Sequence, residues 1–326
     1  MIIQFICRAI LLGVPLLYGS TGEIITEKSG HLNLGIPGVM CVGASCGCFA
    51  EYLYLKQVGP FASPFLAVLI AILATFVGAA LMGLLFSFLT VSLRANQNVT
   101  GLALTTFGMG VSGYLGEFIG KKDLAESVKV ALGTYKIPVL SDIPIIGKML
   151  FEQSPFVLGA ILTAIIIYIY FKKTNTGLNA RVVGESPAAA DASGINVTLH
   201  KYVHTVLGGF LCGVGGGYYS MVYVGRWQVD LTAGAGWISV ALIIFAMWNP
   251  LRAILGAYLF GAVRGLTFKL QGGLVLFGHT ITFSAQLLDM APYIVTVLVL
   301  LFITMRNKRE YQAPASLGTP YFRENR

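Results

Sequence analysis

Charge is what this sequence has least of. Only 11% of its 326 residues are Asp, Glu, Lys or Arg, and they gather in a few loops; a soluble domain carries about a quarter. A chain with so little polar surface has no separate soluble domain, and the whole of it reads as an integral membrane protein. A 56% hydrophobic content and a mean hydropathy of +0.77 point the same way. The formal net charge is +8, but the bases sit at the ends of apolar runs and form no patch interleaved with aromatics. That pattern argues against nucleic acid as a partner and for membrane lipid.

Other shortages exclude chemistry. The five cysteines, Cys7, Cys41, Cys46, Cys48 and Cys212, are odd in number and lie in or beside apolar stretches. They read as buried thiols, not as a disulfide framework or a metal site. His200 and His204 have the i,i+4 spacing of a zinc pair, but "HKYVH" lacks the intervening Glu and a third ligand, so no metal is expected. A phosphate-binding loop needs G-x-x-x-x-G-K-[ST]; "LGEFIGKK" and "SDIPIIGKM" both miss that register. The chain is therefore expected to bind no ATP in that way and to carry no cofactor of its own. No Ser-His-Asp grouping can be argued. Ionisable residues that could serve a proton-coupled carrier are few: Glu117, Asp230 and Asp289 fall at span ends, with Arg264 a turn or two from one.

What remains is long apolar runs. A transmembrane helix needs about 20 apolar residues. Candidate spans cover 3–21, 32–52, 62–90, 99–119, 154–171, 202–224, 231–248, 251–270 and 289–305. The 62–90 run is long enough to tilt or to hide a re-entrant piece, giving about eight to ten spans in one domain over residues 1–326. The first run begins at once and has no A-x-A cleavage signal, so it reads as a first span. Segments 32–52 and 99–119 are rich in Gly, Ser and Thr, as helices buried against other helices are. Gly209-x-x-x-Gly213-x-x-x-Gly217 and Gly261-x-x-x-Gly265 likewise read as internal packing stripes.

Lys172, Lys173, Arg181 and Lys201 in the 172–201 connection, and Arg306, Lys308 and Arg309 in the 306–326 tail, place both segments on the cytoplasmic side. Counting back puts the N-terminus and the 120–153 loop outside. Two Ile-Pro pairs in that loop, Ile137-Pro138 and Ile143-Pro144, disfavour a continuous helix there.

Two short stretches stand out. "ITEKSGHLNLGIPGVM", residues 25–40, breaks the apolar pattern with charge, Gly and Pro. It predicts Glu27 and Lys28 at a cytoplasmic mouth and an irregular start to the second span, tolerated only where the backbone lines a cavity. Glu185-Ser186-Pro187-Ala188-Ala189-Ala190-Asp191-Ala192-Ser193-Gly194 is a short-helix signal: Ser186 as N-cap, Pro187 at the first turn, Gly194 as C-terminal stop. Two Ala-rich turns are not stable alone. They must fold back on the bundle or dock into a partner, and composition favours neither.

"ITEKSGHLNLGIPGVMCVGA" (25–44) resembles the E-[RK]-S-G-x-x-N-[IL]-G-x-x-G-x-M signature of permease subunits of ATP-binding cassette importers of the nucleoside and simple-sugar type. These are related to ribose and branched-chain amino-acid permeases. "NTGLNARVVGESPAAADASGINV" (175–197) is similar to the G-L-x-x-R-A-V-G-E-N-P-x-A-A-x-x-x-G-I-[ND]-V loop of that group. "GGFLCGVGGGYYSM" and "DLTAGAGWISVALIIFAMWNPLRAILGAYLFGAV" match two further blocks in the same order. Pro37 departs from the pattern and predicts a kink in the second span; Ala235 stands where an Arg often precedes the Gly.

The resemblance implies an all-α polytopic bundle with one broken span and a cytoplasmic coupling helix, in the bacterial inner membrane. Its N-terminus would lie outside and its C-terminus in the cytoplasm. Implied partners are ABC ATPase subunits, which use the ATP and Mg, a second homologous or identical permease, and an extracytoplasmic binding protein or lipoprotein. The implied coupling residues are Glu185, Ser186, Pro187, Ala189, Ala190, Asp191 and Gly194. The implied pathway residues are Asn33, Gly35, Thr105, Thr106, Gly234, Gly236, Trp237 and Ser239, with Trp237 as a stacking surface. The implied cargo is a nucleoside, with a sugar, a branched-chain amino acid or a riboflavin-like vitamin as alternatives. A secondary transporter or channel without ATPase partners is the rival of another class.

Overall fold

In this lipid-adapted sequence the backbone must satisfy itself, and helices do so within one segment. A computed structural model describes residues 2–120, 123–138, 140–144, 147–271, 274–276, 279–281, 284–306 and 312–324. Its helices are α1 (Ile2–Lys28), α2 (Ile36–Val58), α3 (Pro64–Ser87), α4 (Gln97–Ile119), α5 (Glu126–Leu132), α6 (Pro155–Lys173) and α7 (Asn175–Glu185). They continue as α8 (Pro187–Ala192), α9 (Val197–Tyr218), α10 (Ala235–Ala246), α11 (Pro250–Gln271), α12 (Ala285–Asp289) and α13 (Ala291–Arg306). Two minimal hairpins are the only sheets among the described residues, Tyr135–Lys136 with Glu152–Gln153 and Leu274–Leu276 with His279–Ile281.

Each predicted span corresponds to a helix, with corrections. Five helices are both long and apolar enough to cross a membrane: α1, α2, α3, α6 and α11. α4 and α9 are as long, at 23 and 22 residues, but more polar, whereas α10 has only 12. The 62–90 run is one helix ending in a π-turn at Phe88–Ser92, with no re-entrant piece. The first span does not stop near residue 21 but runs to Lys28, placing Glu23 and Glu27 inside it. Pro37 does not kink α2; it sits in the first turn, where its missing N–H leaves no bond unmade. The irregular backbone is the Ser29–Gly35 connection before it.

α1, α2 and α9 form the centre, with α3, α4, α6, α10 and α11 packed around them. Close approach is set by glycine. A Cβ on Gly43 of α2 would lie 2.6 Å from the Gly213 Cα of α9, and one on Gly108 of α4 2.6 Å from the Gly38 Cα of α2. The Gly209 and Gly213 stripe faces α3 through Ala79 and Gly83, and Gly261 meets α1 at Ala9 and Gly13. These are packing faces inside the bundle, as the spacing predicts.

At one end, Glu51 of α2 accepts the Ala125 N–H at 2.9 Å and so ties the segment before α5 to the bundle. Tyr135–Lys136 pairs with Glu152–Gln153 as a two-residue hairpin, a π-turn covers Gly147–Phe151, and no α-helix occurs among the described residues between the two strands, consistent with the Ile-Pro pairs. The other end carries α7, α8 and residues 312–324. All five cysteines are free thiols, and no cluster of His, Cys, Asp and Glu with metal-binding geometry occurs among the described residues. His204 bonds the Tyr170 hydroxyl at 2.9 Å and stacks on His200, a structural role.

Candidate functional site

Backbone that leaves the helix inside a bundle has groups that water cannot reach, so side chains must meet them. The Ser29–Gly35 connection shows how. Leu32 N–H donates to Gln97 Oε1 (2.8 Å), Asn33 N–H to Glu23 Oε1 (2.9 Å), and Gly35 N–H to Asn33 Oδ1 (2.9 Å). The Thr105 hydroxyl donates to Leu34 O at 2.8 Å. Four consecutive residues are thus held by side chains from α1, α4 and the connection itself. Beside them, His31 Nδ1 pairs with Thr205 Oγ1 at 2.9 Å, and Ser29 Oγ donates to Thr26 O at 2.7 Å.

Glu23 and Glu27 are i,i+4 on α1 and only 1% and 3% exposed. Glu27 is therefore not at an open mouth where charge is solvated. It lies inside, its Oε2 accepting the indole N–H of Trp248, two residues before the α11 start. Glu23 Oε2, Thr21 Oγ1 and Gln97 Nε2 have no hydrogen-bond partner among the described residues and are sealed from solvent. Sequence reasoning counted carboxylates only at span ends and so passed over Glu23. The signal was present as an E-x-x-x-E pair, once α1 is extended through Lys28. It also gave no role to Gln97, which begins α4.

The predicted pathway residues are not gathered around one opening. Asn33, Gly35, Thr105, Gly236 and Ser239 are buried at helix contacts. A Cβ on Gly236 would lie 2.5 Å from Pro37 Cα, and the Ser239 hydroxyl bonds Ala235 O within its own helix at 3.0 Å. Gly234 is half-buried with φ +73°. Thr106 and Trp237 are exposed, Trp237 at 36%. None of the five main cavities among the described residues is lined by any of these eight residues.

The other predicted group forms one compact feature. Ser186 caps α8, its Oγ accepting the Ala189 N–H at 3.3 Å, with Pro187 at the first position. At the far end Gly194 adopts φ +80°; its N–H reaches Asp191 O and the Ile195 N–H reaches Ala190 O, both at 3.0 Å. This is a Schellman stop, and it needs a residue free to take positive φ. Six residues cannot hold a helix alone. α8 is anchored by Ala190, buried among Val183 of α7 and Val197 of α9, and Ala188, Ala189 and Ala192 face outward.

Residues 312–324 clasp this element, which the sequence did not announce. Ala315 N–H donates to Glu185 Oε2 (3.3 Å) and Ser316 N–H to Gly184 O (3.0 Å). The Tyr321 hydroxyl donates to Asp191 Oδ2 at 2.9 Å, and Arg323 Nε lies 3.2 Å from the same oxygen. Asp191 is therefore engaged by its own chain. The exposed surface of α8 is its alanine face together with Ser186, Ser193 and Gly194.

A family described as the branched-chain amino acid transport system / permease component matches residues 5–305. The chain is 35% identical to the nucleoside ABC transporter permease protein NupC of Lactococcus lactis subsp. cremoris, over 90% of each chain. It is 32% identical to the guanosine ABC transporter permease protein NupQ of Bacillus subtilis, covering 96% of this chain and 94% of that one. A putative glucose ABC transporter permease protein of Haloferax volcanii is 31% identical, covering 95% and 94%. All three relatives are named as permease proteins of ABC transporters. With several apolar helices of membrane length and a match running nearly end to end, the chain is a multi-pass membrane protein and belongs to the branched-chain amino acid transport system permease family.

Proposed function

We propose that this chain is the membrane-spanning subunit of an ATP-driven nucleoside importer. The observation that carries the coupling role is α8. It is a six-residue helix closed by a cap at each end, anchored by one alanine and presenting the others at the surface. Such a knob suits a cleft on a separate ATPase, with Ser186, Pro187, Ala189 and Gly194 at the contact and Glu185, Ala190 and Asp191 holding the knob on its own chain. The α8 end then faces the cytoplasm and the 120–153 loop faces outside. The chain holds no ATP; the partner ATPases use it with Mg.

The buried positions of Asn33, Gly35, Thr105, Gly236 and Ser239 favour a role as supports of a pathway wall. Thr106 and Trp237, both exposed, are its candidate contacts with solute. A pathway lined by outward-facing residues is completed by a second permease, identical or homologous, across from this one. Extracytoplasmic delivery by a binding protein supplies the solute, and rocking of the two permeases passes it inward. Relatives named for nucleoside and guanosine transport support the cargo; the relative named for glucose supports a sugar as the second reading.

The test is uptake into vesicles holding this permease with the ATPase and binding protein of the same system, using labelled guanosine and glucose in turn. ATP-dependent guanosine uptake, resistant to excess glucose, is expected. Uptake of glucose alone overturns the cargo, and uptake that needs no ATPase overturns the importer reading.

A further inference from the structure

The α8 end holds a cavity of about 810 Å³, between the turn after α3, the start of α9 and residues 321–324. Its chemistry is unbalanced. Arg94, Lys201 and Arg323 line it, against the carboxylates of Asp191 and Glu324. Asp191 is occupied by Tyr321 and Arg323, and Glu324 lies 3.7 Å from Arg94 at an exposed position. Lys201 is different. It is 3% exposed yet borders the cavity, and its ammonium has no acceptor or carboxylate partner among the described residues. Its Nζ is not among the side-chain atoms sealed from solvent, so the ammonium faces the cavity, where water or a bound anion meets it.

Beside Lys201 lies the start of α9. Asn196 caps it by accepting the Leu199 N–H at 2.9 Å. Val197 and Thr198 are its first two residues, and their N–H groups have no acceptor within the helix. A 22-residue helix adds the positive end of its dipole here. Both residues line the cavity, as does the phenol of Tyr202. The space is far larger than one phosphate requires, and Tyr202 and Tyr321 also line it, their hydroxyls already bonded to Ser92 and Asp191.

We propose that this cavity binds a phosphate-bearing anion, its phosphate held between the Lys201 ammonium and the Val197 and Thr198 N–H groups, with Arg94 and Arg323 flanking. The site stands on this chain's own residues and is independent of which solute the protein carries. The phosphate can belong to a soluble metabolite of nucleotide size or to an anionic lipid headgroup, and both present the same group to Lys201.

The experiment uses the full chain in phosphatidylcholine nanodiscs, titrated with inorganic phosphate, adenosine 5′-monophosphate and adenosine, with ligand-induced thermal stabilisation as the readout. A second set of discs contains phosphatidylglycerol. Stabilisation by a phosphate-bearing probe is expected to weaken at least about tenfold in Lys201→Met, as loss of a charged hydrogen bond implies. Any response to adenosine, which lacks the phosphate, is unchanged. The unliganded melting temperature of Lys201→Met stays level or rises, because the substitution keeps the stem and removes a buried charge. If the Lys201-dependent effect appears only in phosphatidylglycerol discs, the phosphate is a headgroup and the site stands. If Lys201→Met cannot be obtained folded, Arg94→Gln asks the same question, with an expected weakening of about threefold. Equal stabilisation of wild type and variant, or no response to any phosphate-bearing probe or lipid, overturns the proposal.

Discussion

α2 and α3 lie side by side, yet the more apolar of the two is the more exposed. Nine of the 24 residues of the strongly apolar α3 are buried, against thirteen of the 23 residues of α2, which carries Ser45, Glu51 and Lys56. In water the order would be reversed. In lipid, hydrocarbon is the solvent, and the less apolar helices are drawn inward, where small residues pack and polar groups find partners. α2 carries Gly38 and Gly43 against α4 and α9, whereas α3 turns Leu73, Val77 and Leu81 outward. Buried polarity here marks the structural centre, and it surrounds the Ser29–Gly35 break.

The sharpest way to break the contrast is Gly43→Leu. A Cβ there already meets the Gly213 backbone, so a leucine forces α2 from α9 at a cost of about 3 kcal/mol or more. Monodisperse protein on size exclusion is expected to be lost. Trp248→Phe comes next: it leaves Glu27 Oε2 without its donor in a buried setting, a loss of about 1–3 kcal/mol in thermal melts. Adding Glu27→Gln should recover part of that loss, because the unmet group is then neutral. Thr105→Val removes the donor to Leu34 O and should cost about 1 kcal/mol. A stability change with unaltered KM for uptake identifies Thr105 as a support of the break, and a raised KM identifies it as a solute contact. Leu81→Ala on the outward face of α3, 58% exposed, should change stability by about 0.5 kcal/mol or less.

Much of this was legible in the sequence because membrane-length apolar runs and helix caps are local signals. Ser186, Pro187 and Gly194 each announce their own place, and α8 forms where they put it. The Gly209 and Gly213 spacing announced a packed face in the same way. What escaped was the long-range chemistry. Glu23 drew no reading from the sequence, since nothing nearby shows that Asn33 N–H will meet it. Thr105 gave no sign that its hydroxyl donates to Leu34 O, a bond that depends on how α4 sits against the connection. The clasp of Tyr321 and Arg323 on Asp191 joins residues 130 or more positions apart, beyond any periodicity. An irregular backbone inside a bundle announces that partners exist without naming them.

The central claim is that α8 is where the ATPase attaches, and Ala189→Trp tests it most directly. Ala189 is exposed, and its bonds within α8, the N–H to Ser186 Oγ and the carbonyl to Ser193, are made by the backbone and leave its side chain free to change. Copurification of the ATPase with the variant permease, at matched expression and melting temperature, is the measurement. The account predicts that the variant folds as the wild type does but loses the ATPase and, with it, ATP-driven uptake. A stoichiometric ATPase still bound to Ala189→Trp would contradict it.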